Sequence, residues 1–381
     1  MSGRLAKHRP ILNGYTEAVY PSFWLSDHSN IMIDLRSDTI TRPTPEMRRA
    51  MADAEVGDAV IDVDPTTDRL ERLTAEILGK EAALFMPSGS MTNQIAIRVH
   101  CERGTEFICD ANCHIYNYEQ AAFAQLSGVV AQTVPGDHGV MALDQLRYLI
   151  RPENDHMVRT RLVCLENTHN RAGGRIQPPE VVEEICDWAH EHRLLTHLDG
   201  ARLWNAAVAS GISEEVLSRP FDSVSVCFSK GLGAPVGSAL AGTRAFVAEA
   251  RRARKLFGGA MRQSGIIAAG ALFALEHHRN RLEEDHAHAS MIGDAIHECE
   301  SLHVIGGRID TNIIVAAIDP GWGTAAQFVE ALKESGLSCF AIGPQSIRLV
   351  THLDVSRQDI KQACEILKRV SSASRRAVAS H

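Results

Sequence analysis

The sequence has no long uninterrupted apolar segment. No apolar run approaches the roughly 20 residues that a helix needs to cross a bilayer, and residues 1–30 lack the basic start, apolar middle and small-residue cleavage site of a signal peptide. The chain also has no excess of positive charge, because 39 Lys and Arg against 47 Asp and Glu give a net charge of −8. We therefore expect a cytoplasmic protein that binds small molecules, with no nucleic-acid or membrane partner.

The nine cysteines lack the paired spacing of a disulfide framework. Their odd number favours reduced thiols, as in a cytosolic compartment. Cys109, Cys113 and His114 are close enough in sequence to suggest a metal site. No second pair of ligands follows at zinc spacing, so we predict no metal.

Short apolar strands alternate with helical patterns over most of the chain. Asp64 and Pro65 are typical of a helix start, and residues 82–101 contain the pattern of a strand, a Ser-Gly turn and a helix beginning near Ser90. Such alternation predicts an α/β fold whose large domain has a mainly parallel sheet covered by helices on both faces. From about residue 280 the pattern changes to that of a smaller C-terminal α+β domain. We predict an N-terminal extension and arm at 1–45, a large domain at 46–280 and a small domain at 281–381.

Candidate functional residues follow the predicted strands, where ligands bind in sheets of this kind. The turn Ser88-Gly89-Ser90 could offer helix amide groups to an anion, although an ordinary strand-to-helix turn would have the same sequence. Asp199 ends an apolar strand and needs a cationic partner. A metal pair with His197 would lack an evident third ligand, so a structural salt bridge to Arg202 is the stronger alternative explanation of this aspartate.

Lys230 ends a further apolar strand, in SVSVCFSKGLGAPVG. A lysine in such a place can become the nucleophile that Schiff-base chemistry requires, and the glycines after it are expected to leave room for a bulky adduct. The glycine spacing matches neither an ATP-binding loop nor a dinucleotide-binding turn. Four arginines could each bind a carboxylate or phosphate through two parallel hydrogen bonds. Each alone would be interpreted as a surface residue. They are Arg36, Arg202, Arg262 and Arg348.

The ordered series SGS, DGAR and SKG resembles the aspartate-aminotransferase-like superfamily of pyridoxal-phosphate enzymes, of fold type I. Longer motifs in the same order, among them IDLRSDTITRPTPEM, LENTHN, HLDGARLWNA, SKGLGAPVGS, GGAMRQSG and SIRLVTHLDVS, resemble the low-specificity L-threonine aldolase branch. This resemblance extends from residue 32 almost to the C-terminus. It implies pyridoxal 5'-phosphate as cofactor and cleavage of L-threonine, L-allo-threonine or related 3-hydroxy amino acids to glycine and an aldehyde.

The resemblance also implies roles for individual residues. Lys230 would attach the cofactor, Asp199 would pair with its pyridine nitrogen, and Ser88, Gly89 and Ser90 would hold its phosphate. His114 would stack on the pyridine ring, and His156 would lie near the substrate hydroxyl, which makes it the preferred general base. The other implied positions are Ser37, Arg202 and Arg348 on the substrate carboxylate, and Lys255 and Arg262 at a subunit contact near the cofactor in a homotetramer.

Other activities remain open at this point. A different pyridoxal-phosphate reaction, such as β-elimination, racemisation or transamination, would retain the same lysine and aspartate. A nicotinamide dehydrogenase is disfavoured by the glycine spacing, and a non-enzymatic scaffold would not bind the cofactor. The chain also departs from the family pattern VGDDVYGDDP, since VGDAVIDVDP places Ile61 where relatives have a tyrosine near the active site.

Overall fold

The computed structural model describes residues 32–373, so much of the predicted N-terminal extension lies outside the described residues. The strands, numbered in chain order, are β1 (Ile33–Asp34), β2 (Ala82–Met86), β3 (Thr105–Asp110), β4 (Val130–Val134), β5 (Arg159–Glu166), β6 (Leu195–Gly200), β7 (Ser223–Cys227), β8 (Ser238–Gly242), β9 (Leu302–Val304), β10 (Ile313–Ile318), β11 (Leu337–Ser338), β12 (Phe340–Gly343) and β13 (Ser346–Val350). The helices are α1 (Pro45–Ala52), α2 (Pro65–Ile77), α3 (Gly89–His100), α4 (His114–Asn117), α5 (Ala122–Ser127), α6 (Leu143–Leu146), α7 (Pro179–Glu191), α8 (Leu203–Ser210), α9 (Glu214–Ser218), α10 (Arg244–Leu256), α11 (Gly265–His277), α12 (Leu282–His297), α13 (Ala325–Glu334) and α14 (Arg357–Ser372).

A seven-stranded sheet forms the centre of the larger part, in the order β2-β8-β7-β6-β5-β3-β4. Its strands run parallel except β8, which is antiparallel to both of its neighbours. Helices bury the apolar side chains of both faces, as the short, almost continuous apolar strands require. The predicted mainly parallel α/β fold is confirmed.

Two helix starts occur where the sequence predicts them. The carboxylate of Asp64 caps α2 by accepting a hydrogen bond from the backbone N–H of Thr67, and Pro65 is the first helical residue. The hydroxyl of Ser88 caps α3 by accepting from the N–H of Met91 at 3.2 Å. Each cap satisfies an N–H that has no acceptor within its own helix.

A smaller antiparallel sheet, in the order β12-β13-β10-β9, lies with α12, α13 and α14 around a second core. Strand β1 joins this region by pairing in parallel with β11, and Ile33 and Leu35 are buried in the same core. The mixture of helices with an antiparallel sheet confirms the predicted α+β character. The domain boundaries near residues 45 and 280 stay predictions.

No helix within residues 32–373 is long and apolar enough to span a membrane. The nine cysteines all lie in this part of the chain, where each is buried with a free thiol.

Candidate active site

The candidate site lies where β2, β5, β6 and β7 end at the same edge of the central sheet. Asp199 is the fifth residue of β6, opposite Ser225 of the neighbouring β7. Lys230 follows the end of β7 by three residues and is half-buried. The Ser88–Ser90 turn joins β2 to α3 at this edge. Parallel strands thus gather the predicted lysine, aspartate and turn on one side of the sheet.

The glycines after Lys230 shape the backbone of its loop. Gly233 has φ +77° and its N–H donates to the carbonyl of Lys230 at 2.7 Å, which closes a tight turn. Gly237 has φ +116°, and a Cβ there would come within 2.5 Å of the Phe85 ring. A Cβ on Gly231 would come within 2.8 Å of Leu282. The expectation that these glycines leave open room is therefore wrong, because they are needed for left-handed backbone and close packing.

Asp199 is buried and held from two sides. Its Oδ2 accepts a hydrogen bond from Nδ2 of Asn93 at 2.8 Å, and its Oδ1 accepts from the N–H of Ala201 at 3.2 Å. A carboxylate has about four acceptor positions, so Asp199 can still accept a further donor. Asn93 lies in the first turns of α3, and its amide connects this helix to β6.

His114 and Glu119 form a hydrogen-bonded pair beside Asp199. Nδ1 of His114 lies 2.8 Å from Oε1 of Glu119, and the ligating atoms of His114, Glu119 and Asp199 all lie within 4.8 Å of one another. Burial alone would lower the pKa of His114, but the bond to Glu119 and the charge of Asp199 raise the pKa above its ordinary value. Because an ionised carboxylate only accepts, Nδ1 of His114 is the donor to Glu119.

This His-Glu-Asp cluster is better explained by hydrogen bonding than by a metal. Nδ2 of Asn93 donates to Glu119 at 2.9 Å as well as to Asp199, so an amide group bridges the two carboxylates. The metal grouping considered from the sequence does not form either, since Cys113 is close to Cys109 while His114 turns to Glu119. His197 and Asp199 do not form a pair of metal ligands either, because both ring nitrogens of His197 contact other side chains.

Arg202 pairs with Asp38 rather than with Asp199. Its Nε and Nη2 donate to the two carboxylate oxygens of Asp38 at 2.8 and 2.7 Å, and both side chains are buried. Burial alone would raise the pKa of Asp38, but the charge and hydrogen bonds of Arg202 lower it to about 2. The suggested Asp199–Arg202 salt bridge is thus wrong, because Asp38 binds both of these guanidinium nitrogens.

Asn170 connects the two arginines that are predicted to bind the substrate carboxylate. Its Oδ1 accepts from Nη1 of Arg348 at 3.2 Å and from Nη1 of Arg202 at 3.5 Å. Nε of Arg348 is buried without a hydrogen-bond partner within residues 32–373. Nη2 of Arg348 donates to the carbonyl of Arg36, next to Ser37, whose hydroxyl contacts that of Thr39 at 2.8 Å. The structure therefore brings both arginines and the segment containing Ser37 together.

A cavity of about 390 Å³ opens beside these groups. Its polar lining includes His114, Asn170 and Arg348, and its apolar lining includes Phe340 and Ile342. An amino acid in this space would contact a guanidinium and an imidazole at the same time. Larger surface grooves lie elsewhere, and neither their linings nor that of this cavity contains Lys230 or Asp199.

Glu166 fixes the backbone on both sides of this cavity. It ends β5, opposite Asp199, and its Oε2 accepts from the N–H of His114 at 2.7 Å. Its Oε1 accepts from the N–H of Asn170 at 2.8 Å. One buried carboxylate thus sets the position of the imidazole relative to the residue that connects the arginines.

The Ser88–Ser90 turn lies beside the segment that contains Arg262. A Cβ on Gly259 would overlap Met91 of the first turn of α3, so this segment packs on the start of that helix. Nη1 of Arg262 donates to Asp58 at 2.6 Å. Asp58 belongs to the same loop as Ile61, whose exposed fraction is 79%. Lys255 is exposed in the last turn of α10.

His156 is not near the other predicted residues of this chain. Its side chain is 86% exposed in the loop before β5, where Nε2 lies 3.5 Å from Asp155. The site is at the opposite end of β5, and a strand of this length spans about 25 Å. The role of His156 as general base stays a prediction, and this chain alone does not provide the contact.

Sequence reasoning did not assign roles to several residues of the site. All but Asn170 are buried polar side chains, but the adjacent residues in sequence do not identify their partners. The partners lie up to 274 residues apart in sequence, as in the 3.1 Å bond from Asn312 to Asp38. The residues are Asp38, Asn93, Glu119, Glu166, Asn170 and Asn312.

The site has groups that fit a phosphorylated pyridine. The first N–H groups of α3 have no acceptor within the helix and can bind a phosphate at the Ser88–Ser90 turn. Asp199 can accept a bond from a protonated ring nitrogen, and Lys230 has an amine for covalent attachment. The hydroxyl of Thr168, two residues beyond β5, is buried without a partner in residues 32–373 and can bond a ligand. These groups could hold the predicted cofactor.

Comparison with known proteins gives a consistent assignment. The family model described as beta-eliminating lyase matches residues 34–319. A probable low-specificity L-threonine aldolase of Arabidopsis thaliana is 42% identical over 89% of this chain and 97% of its own length. The low specificity L-threonine aldolase of Escherichia coli K12 is 41% identical over 87% of this chain and 97% of its own length. A Leishmania major threonine aldolase structure has a TM-score of 0.78 at 20% identity, covering 89% of this chain and 100% of that chain.

Proposed function

The chain belongs to the beta-eliminating lyase family and, within it, to the low-specificity L-threonine aldolase group, and from this we propose that it is a pyridoxal-phosphate-dependent carbon-carbon lyase. It cleaves L-threonine or a related 3-hydroxy amino acid to glycine and an aldehyde. The observation that carries this proposal is the placement of Lys230, Asp199 and the Ser88–Ser90 turn at one edge of the sheet, beside two arginines linked through Asn170.

We propose that Lys230 holds the cofactor covalently, Asp199 binds the ring nitrogen and the Ser88–Ser90 turn binds the phosphate. Pyridoxal phosphate, when bound, supplies an electron sink for the pair released when a bond to the substrate Cα breaks. Asp199 contributes a buried negative charge, which favours a protonated ring nitrogen. His114, fixed by Glu119 and Glu166, lies beside Asp199 and is suited to stack on a flat ring.

The substrate carboxylate is proposed to bind at Arg348. This guanidinium has a buried Nε without a partner, and burial and the charge of Arg202 lower its pKa. An incoming carboxylate would satisfy the free donor and offset the repulsion between the two cations. Arg202 is held by Asp38, so it contributes mainly its Nη1, while Ser37 lies next to Asp38 on the same segment.

The general base is proposed to be His156 or a water that it holds, with His114 as the second candidate. Within its own protomer His156 is at the far end of β5, so its role requires the site of another copy. His114 lines the cavity, but Glu119 binds its Nδ1 and leaves only Nε2 for proton transfer. A homotetramer in which Lys255 and Arg262 lie at a subunit contact is part of this proposal, as is a cytoplasmic location.

The experiment that tests the proposed function measures all the products of one incubation. Purified protein is supplied with pyridoxal phosphate and L-threonine, and glycine, acetaldehyde, ammonia and keto acid are quantified together with any D-allo-threonine. Equal amounts of glycine and acetaldehyde are expected. Ammonia with keto acid would indicate elimination, and keto acid without ammonia would indicate transamination to the cofactor. D-allo-threonine, the product of inversion at Cα alone, would indicate racemisation, and each of these results would overturn the aldolase assignment.

A further inference from the structure

A line of buried, hydrogen-bonded side chains ends at Asp199. Nε2 of His100 lies 2.7 Å from the hydroxyl of Ser223, and that hydroxyl lies 2.8 Å from Nδ1 of His197. Nε2 of His197 lies 3.2 Å from Oδ1 of Asn93, whose Nδ2 donates to Asp199. These five residues, which we call the support chain, are at most 8% exposed. They connect α3, β6 and β7.

The partners of the support chain determine the direction of each hydrogen bond. An ionised carboxylate only accepts, so the NH₂ group of Asn93 faces Asp199 and Glu119, and its oxygen faces His197. Nε2 of His197 must then carry the hydrogen, and Nδ1 must accept one from Ser223. The Ser223 hydroxyl in turn accepts from Nε2 of His100. One tautomer of each histidine satisfies every bond.

The two histidines have the neutral charge that this pattern needs. Burial lowers the pKa of His197 to about 3 and the pKa of His100 to about 4. A protonated His197 would have no acceptor nitrogen for Ser223 and would place a second donor against that hydroxyl. The His100 ring is fixed further by stacking on Phe246 at 4.6 Å between centroids.

We propose that His197 is a positioning residue for the reaction, acting through Asn93 on Asp199 and Glu119. Its Nε2–H satisfies the Asn93 oxygen, so that the amide keeps both N–H groups on the two carboxylates. Without this donor, the Asn93 oxygen would be buried and unpaired, and the amide would lose its fixed orientation. The inference rests on the proposed function, because Asp199 matters for turnover only if it faces the cofactor.

Two substitutions of His197 separate its two nitrogens. The amide nitrogen of glutamine reaches about as far as Nε2, so His197→Gln keeps a donor to Asn93. The amide nitrogen of asparagine reaches about as far as Nδ1, so His197→Asn keeps a contact with Ser223 and leaves Asn93 unpaired. His288→Asn is the matched control, since His288 is a buried histidine of α12 with its Nδ1 unpaired in residues 32–373, outside the proposed site.

We expect His197→Asn to lower kcat for threonine cleavage about ten- to hundred-fold, within the range for leaving a buried acceptor unpaired, while KM changes less than about three-fold. His197→Gln should retain kcat within about five-fold, and His288→Asn should lower stability without a change in kcat of that size. The visible spectrum of the bound cofactor should shift in His197→Asn alone. Equal losses in the two His197 variants, or an equal loss in His288→Asn, would overturn the proposal.

A second measurement uses the protein without cofactor. Nitrogen-15 NMR of the histidine side chains should show His197 neutral at pH 7 with hydrogen on Nε2. A charged ring, or hydrogen on Nδ1, would overturn the support chain whether or not the protein is an aldolase. If the wild-type protein forms no glycine from threonine while the NMR result holds, the proposed function fails and the hydrogen-bonded chain stands.

Discussion

The buried ion pair between Asp38 and Arg202 leads to a prediction with a built-in control. Asp38→Asn keeps the size of the side chain and removes its charge, leaving the Arg202 guanidinium buried without a counter-ion. Loss of one partner of a buried pair costs about 3–5 kcal/mol of unfolding free energy. The pKa of Asp38, lowered from 3.8 to about 2, independently corresponds to about 2 kcal/mol at 1.36 kcal/mol per pH unit. We expect a loss of about 2–5 kcal/mol at pH 7.

The same segment supplies the control. Asp34 pairs with Arg36 in a contact whose arginine is about half exposed, and exposed pairs contribute about 0–1 kcal/mol. Urea unfolding followed by tryptophan fluorescence would compare Asp38→Asn with Asp34→Asn at pH 7. If both variants lose the same small amount of unfolding free energy, Asp38 does not stabilise the buried Arg202 as the geometry of the pair indicates.

The pH dependence of this pair has a defined sign. A carboxyl whose pKa is lowered on folding contributes stability that is present above its unfolded pKa, near 3.8, and is lost as the pH falls through the folded value of about 2. The stability difference between wild type and Asp38→Asn should therefore stay constant from pH 7 to about 5 and decrease between about pH 4 and 2. A difference that grows on acidification would contradict the assignment.

Three further predictions concern single positions. Asn170→Ala should raise KM for threonine about ten-fold, with a smaller effect on kcat, in steady-state kinetics. The reason is that the guanidinium groups of Arg202 and Arg348 lose the shared acceptor that sets their spacing. Gly237→Ala should lower the unfolding free energy by more than about 1 kcal/mol in thermal or urea unfolding, since φ is +116° and the Phe85 ring occupies the place of the added methyl. Ile61→Tyr should raise the catalytic efficiency for threonine relative to phenylserine by about ten-fold, and an unchanged ratio would show that this position does not set selectivity.

The sequence was sufficient to predict the elements and the edge of the sheet where the chemistry lies. Alternating apolar strands and capped helices have local causes, such as Asp64 with Pro65 and the hydroxyl of Ser88, and these are visible in a few adjacent residues. Lys230 and Asp199 follow strands, and parallel strands bring their carboxyl ends together. The longer sequence motifs then restricted the possible families to the low-specificity L-threonine aldolases.

The contacts that hold the site together were not predictable in the same way. Arg202 has an acid three residues away in sequence, yet it binds Asp38, 164 residues distant, because the second core places that segment against it. The orientation of Asn93 depends on His197, which sequence reasoning considered only as a possible metal ligand. Which side chains form a hydrogen bond or ion pair over such distances is determined by tertiary packing. The local sequence pattern contains no signal for it.

Attachment of the cofactor to Lys230 is the central claim, and borohydride trapping tests it most directly. Protein reconstituted with pyridoxal phosphate is reduced with borohydride and digested, and the modified peptide is identified by mass spectrometry, with Lys230→Ala and Lys255→Ala treated in parallel. The pyridoxyl mass is expected on the peptide containing Lys230 in the wild type and in Lys255→Ala, and on no peptide of Lys230→Ala. A label on another lysine, or an unlabelled wild-type protein, would contradict the account.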